Sequence, residues 1–191
     1  MIKKFVTIFC ISIFQVIGYS QTNHLFESLE EALQVHPDSV YRLDLSRASL
    51  KEVPKEIFNF KNLRELDLSK NKLTELPNQF VFEKLEVLHL TKNKLEKFPK
   101  VICKNKNLKQ LFLGKNRISE IPECIGELSE LVIFDIWFNT ISVIPDSITK
   151  LRKLRSFDLR GMNYSDEFQK EWRDKLPWVT IQFDVGCDCG I

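Results

Sequence analysis

The chain has 191 residues, which suffices for one domain with its own hydrophobic core. Apolar residues make up 43% of it, an ordinary share for a soluble protein. The formal net charge is +2 at pH 7, from 28 Lys and Arg against 26 Asp and Glu. This small imbalance gives no case for nucleic acid or an anionic membrane as a partner.

Residues 1–20 predict a secretory signal peptide. A short basic start is followed by a mostly apolar run over residues 5–18, and the small residues Gly18 and Ser20 precede the expected cleavage point. The alternative is a membrane anchor, but this run of about 14 residues is shorter than a bilayer span requires. The sequence therefore predicts an exported protein, secreted, periplasmic or at the cell surface, whose mature chain has no membrane span.

Residues 21–39 predict an N-terminal cap. Apolar residues recur near helical spacing over residues 24–36, which favours an amphipathic helix. Ser28 followed three residues later by Glu31 is typical of a capping box at a helix start. Pro37 is expected to end the helix.

Residues 40–164 contain six copies of one pattern, Leu-x-x-Leu-x-Leu-x-x-Asn-x-Leu. Their first residues are separated by 23, 22, 23, 23 and 23 positions. A fixed period in this range predicts a solenoid of stacked units. The copies open at Val40, Leu63, Leu85, Leu108, Leu131 and Leu154.

Each copy predicts one short strand and one corner. In the fourth copy Leu111 and Leu113 alternate with other residues, so they point inward and their neighbours point outward. The ninth position is an asparagine in copies two to five, where the chain leaves the strand. A side-chain amide there can bond the main chain of its own repeat and of the next. This structural asparagine ladder comprises Asn71, Asn93, Asn116 and Asn139.

The return half of each repeat is also regular. Five repeats carry an apolar residue followed by proline at positions 14–15, and a short helical or 3-10 turn is expected after it. The second repeat is one residue short between Phe80 and Leu85, which predicts a local irregularity on that side without disturbing the strands.

These features resemble the 23-residue, Leu-Pro type of leucine-rich repeat in an exported, bacterial-like protein. The resemblance covers residues 40–162. It implies an α/β solenoid with a curved parallel sheet on its concave face and short helical or 3-10 turns on its convex face. It also implies a scaffold that binds proteins, since the family carries no single activity.

Residues 165–191 predict a C-terminal cap of a helix followed by an edge strand over Trp178–Phe183. Trp172 and Trp178 are close enough in sequence to suggest a site, but a lid over the last repeat is the more economical interpretation.

Four cysteines remain after cleavage, Cys103, Cys124, Cys187 and Cys189, and they allow three pairings. Cys103 and Cys124 both fall on the convex side of adjacent repeats. We therefore hypothesise that these two form a disulfide.

The residues at the outward strand positions indicate a binding surface. Apolar and aromatic side chains gather there in repeats three to five, where burial in the core does not explain them. The alternative is that these side chains shelter one another, or that Phe138 folds into the adjoining loop. Gly114 beside Trp137 is expected to leave room for a docked group. The predicted partner-binding residues, hereafter the aromatic patch, are Val87, His89, Phe112, Ile133, Trp137 and Phe138.

Charged residues also recur in rows along the repeats. A candidate basic rim would orient an acidic partner, although a solvated rim explains it equally well. It comprises Arg47, Lys70, Lys92 and Lys115. An acidic row lies one ridge over and is expected to be solvated, with calcium a remote alternative. It comprises Asp44, Asp67, Asp135 and Asp158.

The sequence indicates no enzyme and no cofactor or metal. It contains no Gly-x-Ser-x-Gly elbow and no His-Glu-x-x-His motif. The leading prediction is an exported module whose concave face binds a protein or peptide ligand. The alternative is a structural or adhesive surface protein that self-associates through the same patch; the oligomeric state stays open.

Overall fold

The computed structural model describes residues 23–184. The predicted signal peptide at residues 1–20, Cys187 and Cys189 lie outside this range. The described chain forms one parallel sheet of eight strands in sequential order, so each strand neighbours the ones before and after it in the chain. The predicted fold class is confirmed.

Six strands come from the six repeats, and each is three residues long with its central residue buried. Matching repeat positions pair in register; Leu43 lies opposite Leu66 and Leu66 opposite Leu88. The strands are β2 (Arg42–Asp44), β3 (Glu65–Asp67), β4 (Val87–His89), β5 (Gln110–Phe112), β6 (Ile133–Asp135) and β7 (Ser156–Asp158).

The return halves form the predicted short turns on the other side. Four of them are 3-10 helices, at Lys55–Asn59, Lys100–Lys104, Glu123–Glu127 and Asp146–Lys150. The shortened second repeat has a non-helical turn between Phe80 and Leu85, and β3 and β4 stay in register across it. The expectation of a local irregularity is confirmed.

The N-terminal cap differs from the prediction. Residues Leu25–Phe26 form a strand, β1, that pairs with β2, and helix α1 covers only Leu29–Ala32. The exposed edge of β2 offers unpaired main-chain groups, and satisfying them outweighs the helical pattern of residues 24–36. The predicted cap at Ser28 is confirmed, because Ser28 Oγ accepts a hydrogen bond from the Glu31 N–H at 3.1 Å.

The C-terminal cap has the predicted order. Helix α2 spans Asp166–Lys175, and strand β8 (Thr180–Gln182) pairs with β7 at the far edge. Trp172 is 2% exposed and packs into the core with the half-buried Trp178, so the interpretation as a lid is confirmed.

Cys103 and Cys124 form a disulfide between repeats three and four, with their Cα atoms 5.9 Å apart. The hypothesis of this pairing is confirmed. The bridge lies on the convex side, because Cys103 belongs to one 3-10 helix and Cys124 to the next.

The ninth-position asparagines join adjacent repeats. The Asn116 amide donates to the carbonyl of Leu113 in its own repeat at 2.8 Å and to that of Leu90 in the preceding repeat at 3.0 Å. Its oxygen accepts from the Leu95 N–H at 3.1 Å. The expected partner repeat was wrong: the amides bond the preceding repeat and not the next one. The other ladder members, Asn71, Asn93 and Asn139, bond in the same way.

We predict that Asn116→Ala lowers the free energy of unfolding by about 3 kcal/mol, because it removes the side-chain partner of three main-chain groups in a buried corner. Urea unfolding followed by circular dichroism measures this. The matched control is Asn59→Ala at an exposed position, where the loss should stay within about 0.5 kcal/mol. Equal losses in the two variants would contradict the role of the ladder.

Candidate functional site: the concave face

The outward positions of β4, β5 and β6 place the aromatic patch on one face. His89 and Phe112 are register partners, and their rings stack with centroids 4.4 Å apart and planes 2° apart. Each ring covers one side of the other, so both residues are half-buried. This pair partly fulfils the alternative in which the side chains shelter one another.

The remaining strand residues of the patch are less continuous than expected. Val87 and Ile133 are both half-buried, but Gln110 lies between them in the sheet. Asp135 is the register partner of Phe112 on the other side, so a carboxylate borders the stacked pair. The patch is therefore a set of apolar side chains with polar ones between them.

Trp137 occupies the space over Gly114. A Cβ atom added to Gly114 would overlap the indole ring, and it would come within 3.0 Å of Asp135 Oδ1. Gly114 is itself buried. The expectation that Gly114 leaves room for a docked group was wrong, because the side chain of the neighbouring repeat fills that room.

Phe138 is the most exposed aromatic residue of the patch. Its side chain is 58% exposed, and its ring lies at 86° to that of Trp137 with centroids 5.6 Å apart. The Lys115 ammonium lies 4.7 Å from the Trp137 ring and 5.6 Å from the Phe138 ring, within the range of cation–π attraction. These three residues form the edge of the patch.

The backbone at Phe138 is left-handed, with φ of 52°. The whole eighth position shares this conformation, with φ between 54° and 61° at the other non-glycine residues and 82° at Gly161. Left-handed backbone is costly for bulky side chains and free of that cost for glycine. The turn of the repeat thus imposes a left-handed backbone on the eighth position, which is strained for phenylalanine at Phe138. The same turn occurs in the other repeats at Arg47, Lys70, Lys92 and Lys115.

The acidic row has a structural role that sequence reasoning missed. Asp44 Oδ1 accepts from the Ser46 N–H and Asp67 Oδ1 from the Ser69 N–H, both at 2.7 Å. Asp158 is 6% exposed and forms an ion pair with Arg160. The expectation of a solvated row was wrong, and the Asp-x-Ser spacing was the available signal, since aspartates commonly bond the backbone two residues on.

Asp135 is the exception in the acidic row. Its Oδ1 is buried with no hydrogen-bond partner among residues 23–184. Burial, with a smaller contribution from the neighbouring carboxylate of Asp158, raises the pKa of Asp135 to about 6. Within the same described range, no three His, Cys, Asp or Glu side chains gather as a metal site.

Because the described chain is a parallel-sheet solenoid with an outward-facing aromatic patch, its class is that of a repeat scaffold. Residues 38–95 and 83–139 match the family model for the leucine rich repeat. Together these residues cover more than half of the chain, so the chain belongs to the leucine-rich repeat family.

Several known proteins are similar to it. Human leucine-rich repeat-containing protein 7 is 41% identical over 66 residues, which cover 34% of this chain and 4% of that protein. Internalin C2 of Listeria monocytogenes has a TM-score of 0.66 at 21% identity, covering 83% of this chain and 66% of that one. The plant peptide hormone receptor RGFR1, solved in complex with RGF2, has a TM-score of 0.59 at 28% identity, covering 71% of this chain and 22% of that one.

A structure of a Leptospira interrogans leucine-rich repeat protein has a TM-score of 0.51 at 23% identity and covers 82% of this chain and 57% of that one. At this identity, as for internalin C2, the likeness concerns the fold. Within residues 23–184 no helix combines the length and apolarity that crossing a bilayer requires.

We predict that Gly114→Ala lowers the free energy of unfolding by about 2 kcal/mol, because the added methyl group displaces the Trp137 ring. In a Trp137→Ala background the same substitution should cost about 0.5 kcal/mol or less, since the overlapping ring is gone. Thermal or urea unfolding of the four proteins in this cycle gives the coupling. An unchanged cost in the second background would show that Trp137 does not pack on Gly114.

We predict that Asp135→Asn stabilises the fold at pH 7.5 by about 1 kcal/mol. The folded pKa of Asp135 lies above the unfolded value, so the folded state holds its proton more tightly. Ionisation therefore costs stability as pH rises towards and through 6, and partial solvent screening keeps that cost modest. Asparagine stays neutral, so the advantage over the wild type should shrink as pH falls to about 4. Urea midpoints measured from pH 4 to 8 test this, and a pH-independent difference would contradict it.

Proposed function

We propose that this protein is a non-enzymatic, exported module that binds a protein or peptide ligand with its concave face, through the aromatic patch. The observation that carries the proposal is Phe138. Phe138 is 58% exposed on a backbone with φ of 52°. Its ring lies over Gly161 and leaves its other side open, so neither full burial nor backbone preference favours phenylalanine at this position. A strained, exposed apolar residue is better explained by contact with a partner than by the stability of the chain itself.

The neighbouring residues support the same reading. Trp137 adds a large apolar surface beside Phe138, and tryptophan is enriched at interface hot spots. Lys115 places a cation over both rings. The receptor RGFR1, which shares this fold, was solved in complex with RGF2. That comparison supports a peptide or protein as the class of ligand.

We propose export because residues 1–20 have the composition of a signal peptide and because the Cys103–Cys124 disulfide is typical of an oxidising compartment. The 66 matched residues cover 4% of the curated relative, so no activity of that larger protein is carried over.

The alternative is self-association through the aromatic patch. Phe138 supports this equally in chemical terms, since an exposed apolar edge can meet a second copy of itself. Sedimentation velocity of the mature protein distinguishes the two. The proposal expects a monomer, whereas a dimer that is lost in Trp137→Ala would favour the alternative.

We predict that the patch variant Phe112→Ala/Trp137→Ala/Phe138→Ala loses at least tenfold in capture of a ligand that the wild type binds from the surrounding fluid. The matched control is Val143→Ala, which removes an apolar side chain that is 65% exposed outside the patch. Quantitative mass spectrometry of the three pull-downs gives the ratio for each captured protein. Capture that is unchanged in the patch variant would refute the proposal.

A further inference from the structure

A second row of cations runs beside the candidate basic rim. The tenth position of repeats two to four is basic, so the ninth-position asparagine of each of these three repeats is flanked by two cations: Lys70-Asn71-Lys72, Lys92-Asn93-Lys94 and Lys115-Asn116-Arg117. All six flanking side chains are exposed, while Asn71 and Asn116 are buried and Asn93 is half-buried. We call these six residues the basic strip.

The backbone holds the strip in a fixed geometry. The eighth-position N–H groups bond the following repeat; that of Lys92, for example, donates to Gly114 O at 2.9 Å. The tenth-position N–H groups bond the preceding repeat, as Lys94 does to Leu73 O at 2.9 Å. Both rows therefore continue the ladder of the sheet, and the backbone positions that carry successive cations lie about 4.8 Å apart at the strand spacing.

The strip lacks matching carboxylates. Among residues 23–184, only Arg117 of the six has a carboxylate within 4.0 Å, at 3.9 Å in an exposed pair with Glu96. The row at the opposite end of the strands is different, because Arg64 and Lys109 both bond Glu86, at 3.3 and 2.7 Å. Like charges held side by side repel one another, and an anionic partner would relieve that repulsion.

The surroundings of the strip select a narrow partner. Exposed carboxylates border it on one side, at Glu75, Glu96 and Glu120 further along each repeat. On the sheet side, Asp67 is the single member of the acidic row in repeats two to four, because His89 and Phe112 hold the same position in repeats three and four. A wide anionic surface, such as a duplex or a membrane, would meet these acids as well as the cations. A single extended chain can follow the strip without covering these acids.

At its far end the strip meets the aromatic patch. Phe138 holds the eighth position in the fifth repeat, and the Lys115 ammonium lies 5.6 Å from its ring. From repeat two to repeat five the distance is about 14 Å at the strand spacing, which an extended chain covers in about five residues.

We propose that the basic strip binds an acidic, extended peptide segment of the partner that runs across the strands, with an apolar side chain placed against Phe138. This inference rests on the proposed function and specifies the chemistry of the ligand. In this proposal the strip orients the peptide and raises its association rate, because unpaired surface charges act mainly on these two properties.

The test uses the full mature chain and a fluorescein-labelled hexapeptide, Glu-Ser-Glu-Ser-Glu-Phe, with a glutamine version as the uncharged match. Fluorescence anisotropy at low salt should show binding of the glutamate peptide at least tenfold tighter than that of the glutamine peptide. In Lys70→Glu/Lys92→Glu binding should weaken at least tenfold. The control Lys100→Glu/Lys104→Glu, which makes the same charge change on exposed convex lysines, should stay within twofold.

Three outcomes overturn the inference. It fails if the wild type does not bind the glutamate peptide, if the convex control weakens binding as much as the strip variant, or if a heparin oligosaccharide binds through the strip while the peptide does not. Phe112→Ala/Trp137→Ala separates the two proposals. If this double variant loses ligand capture but still binds the hexapeptide, the patch is needed for the ligand and the strip binds acidic peptide by itself, so both proposals stand. If capture is lost in this double variant but unchanged in Lys70→Glu/Lys92→Glu, the proposed function stands and the inference about the strip fails.

Discussion

The side-chain amides at the ninth position are the interaction on which the rest of this structure depends. Each strand of the six repeats has only three residues, too few to hold a parallel sheet together by its own ladder. An amide such as that of Asn116 adds hydrogen bonds to two repeats at once, at the corner where the ladder would otherwise stop. The same bonds fix the backbone of the exposed residues at the eighth and tenth positions, on either side of the asparagine. The regular spacing of the surface charges there therefore depends on a buried side chain.

Much of the fold follows from periodicity alone. The alternation of Leu111 and Leu113 with outward residues set the sheet and its register, because a slip by one residue would place leucines in solvent. The two-residue strand β1 could not be found in this way, since Leu25 and Phe26 are too short a segment to carry a period. Its pairing depends on an open sheet edge that exists only after the repeats have stacked.

The candidate site was less predictable than the fold, for a physical reason. The sequence shows which side chains point out of the sheet, but their contacts with one another depend on rotamers and on neighbours from other repeats. Trp137 lies over Gly114, and His89 stacks on Phe112, so these side chains are less exposed than their outward positions suggest. Phe138 remains exposed. The hydrogen bonds from aspartate side chains to the backbone could be predicted from the sequence, because they join residues only two positions apart.

The disulfide has a consequence for how this chain comes apart. In a solenoid each unit touches only its neighbours, so unfolding can begin at either end and advance one repeat at a time. Cys103–Cys124 ties repeats three and four covalently in the middle of the array. Fraying that starts at the N-terminal cap would therefore be arrested before it reached repeats four and five, which carry Phe112, Trp137 and Phe138. A reducing environment would remove that barrier and let the aromatic surface melt with the rest of the array.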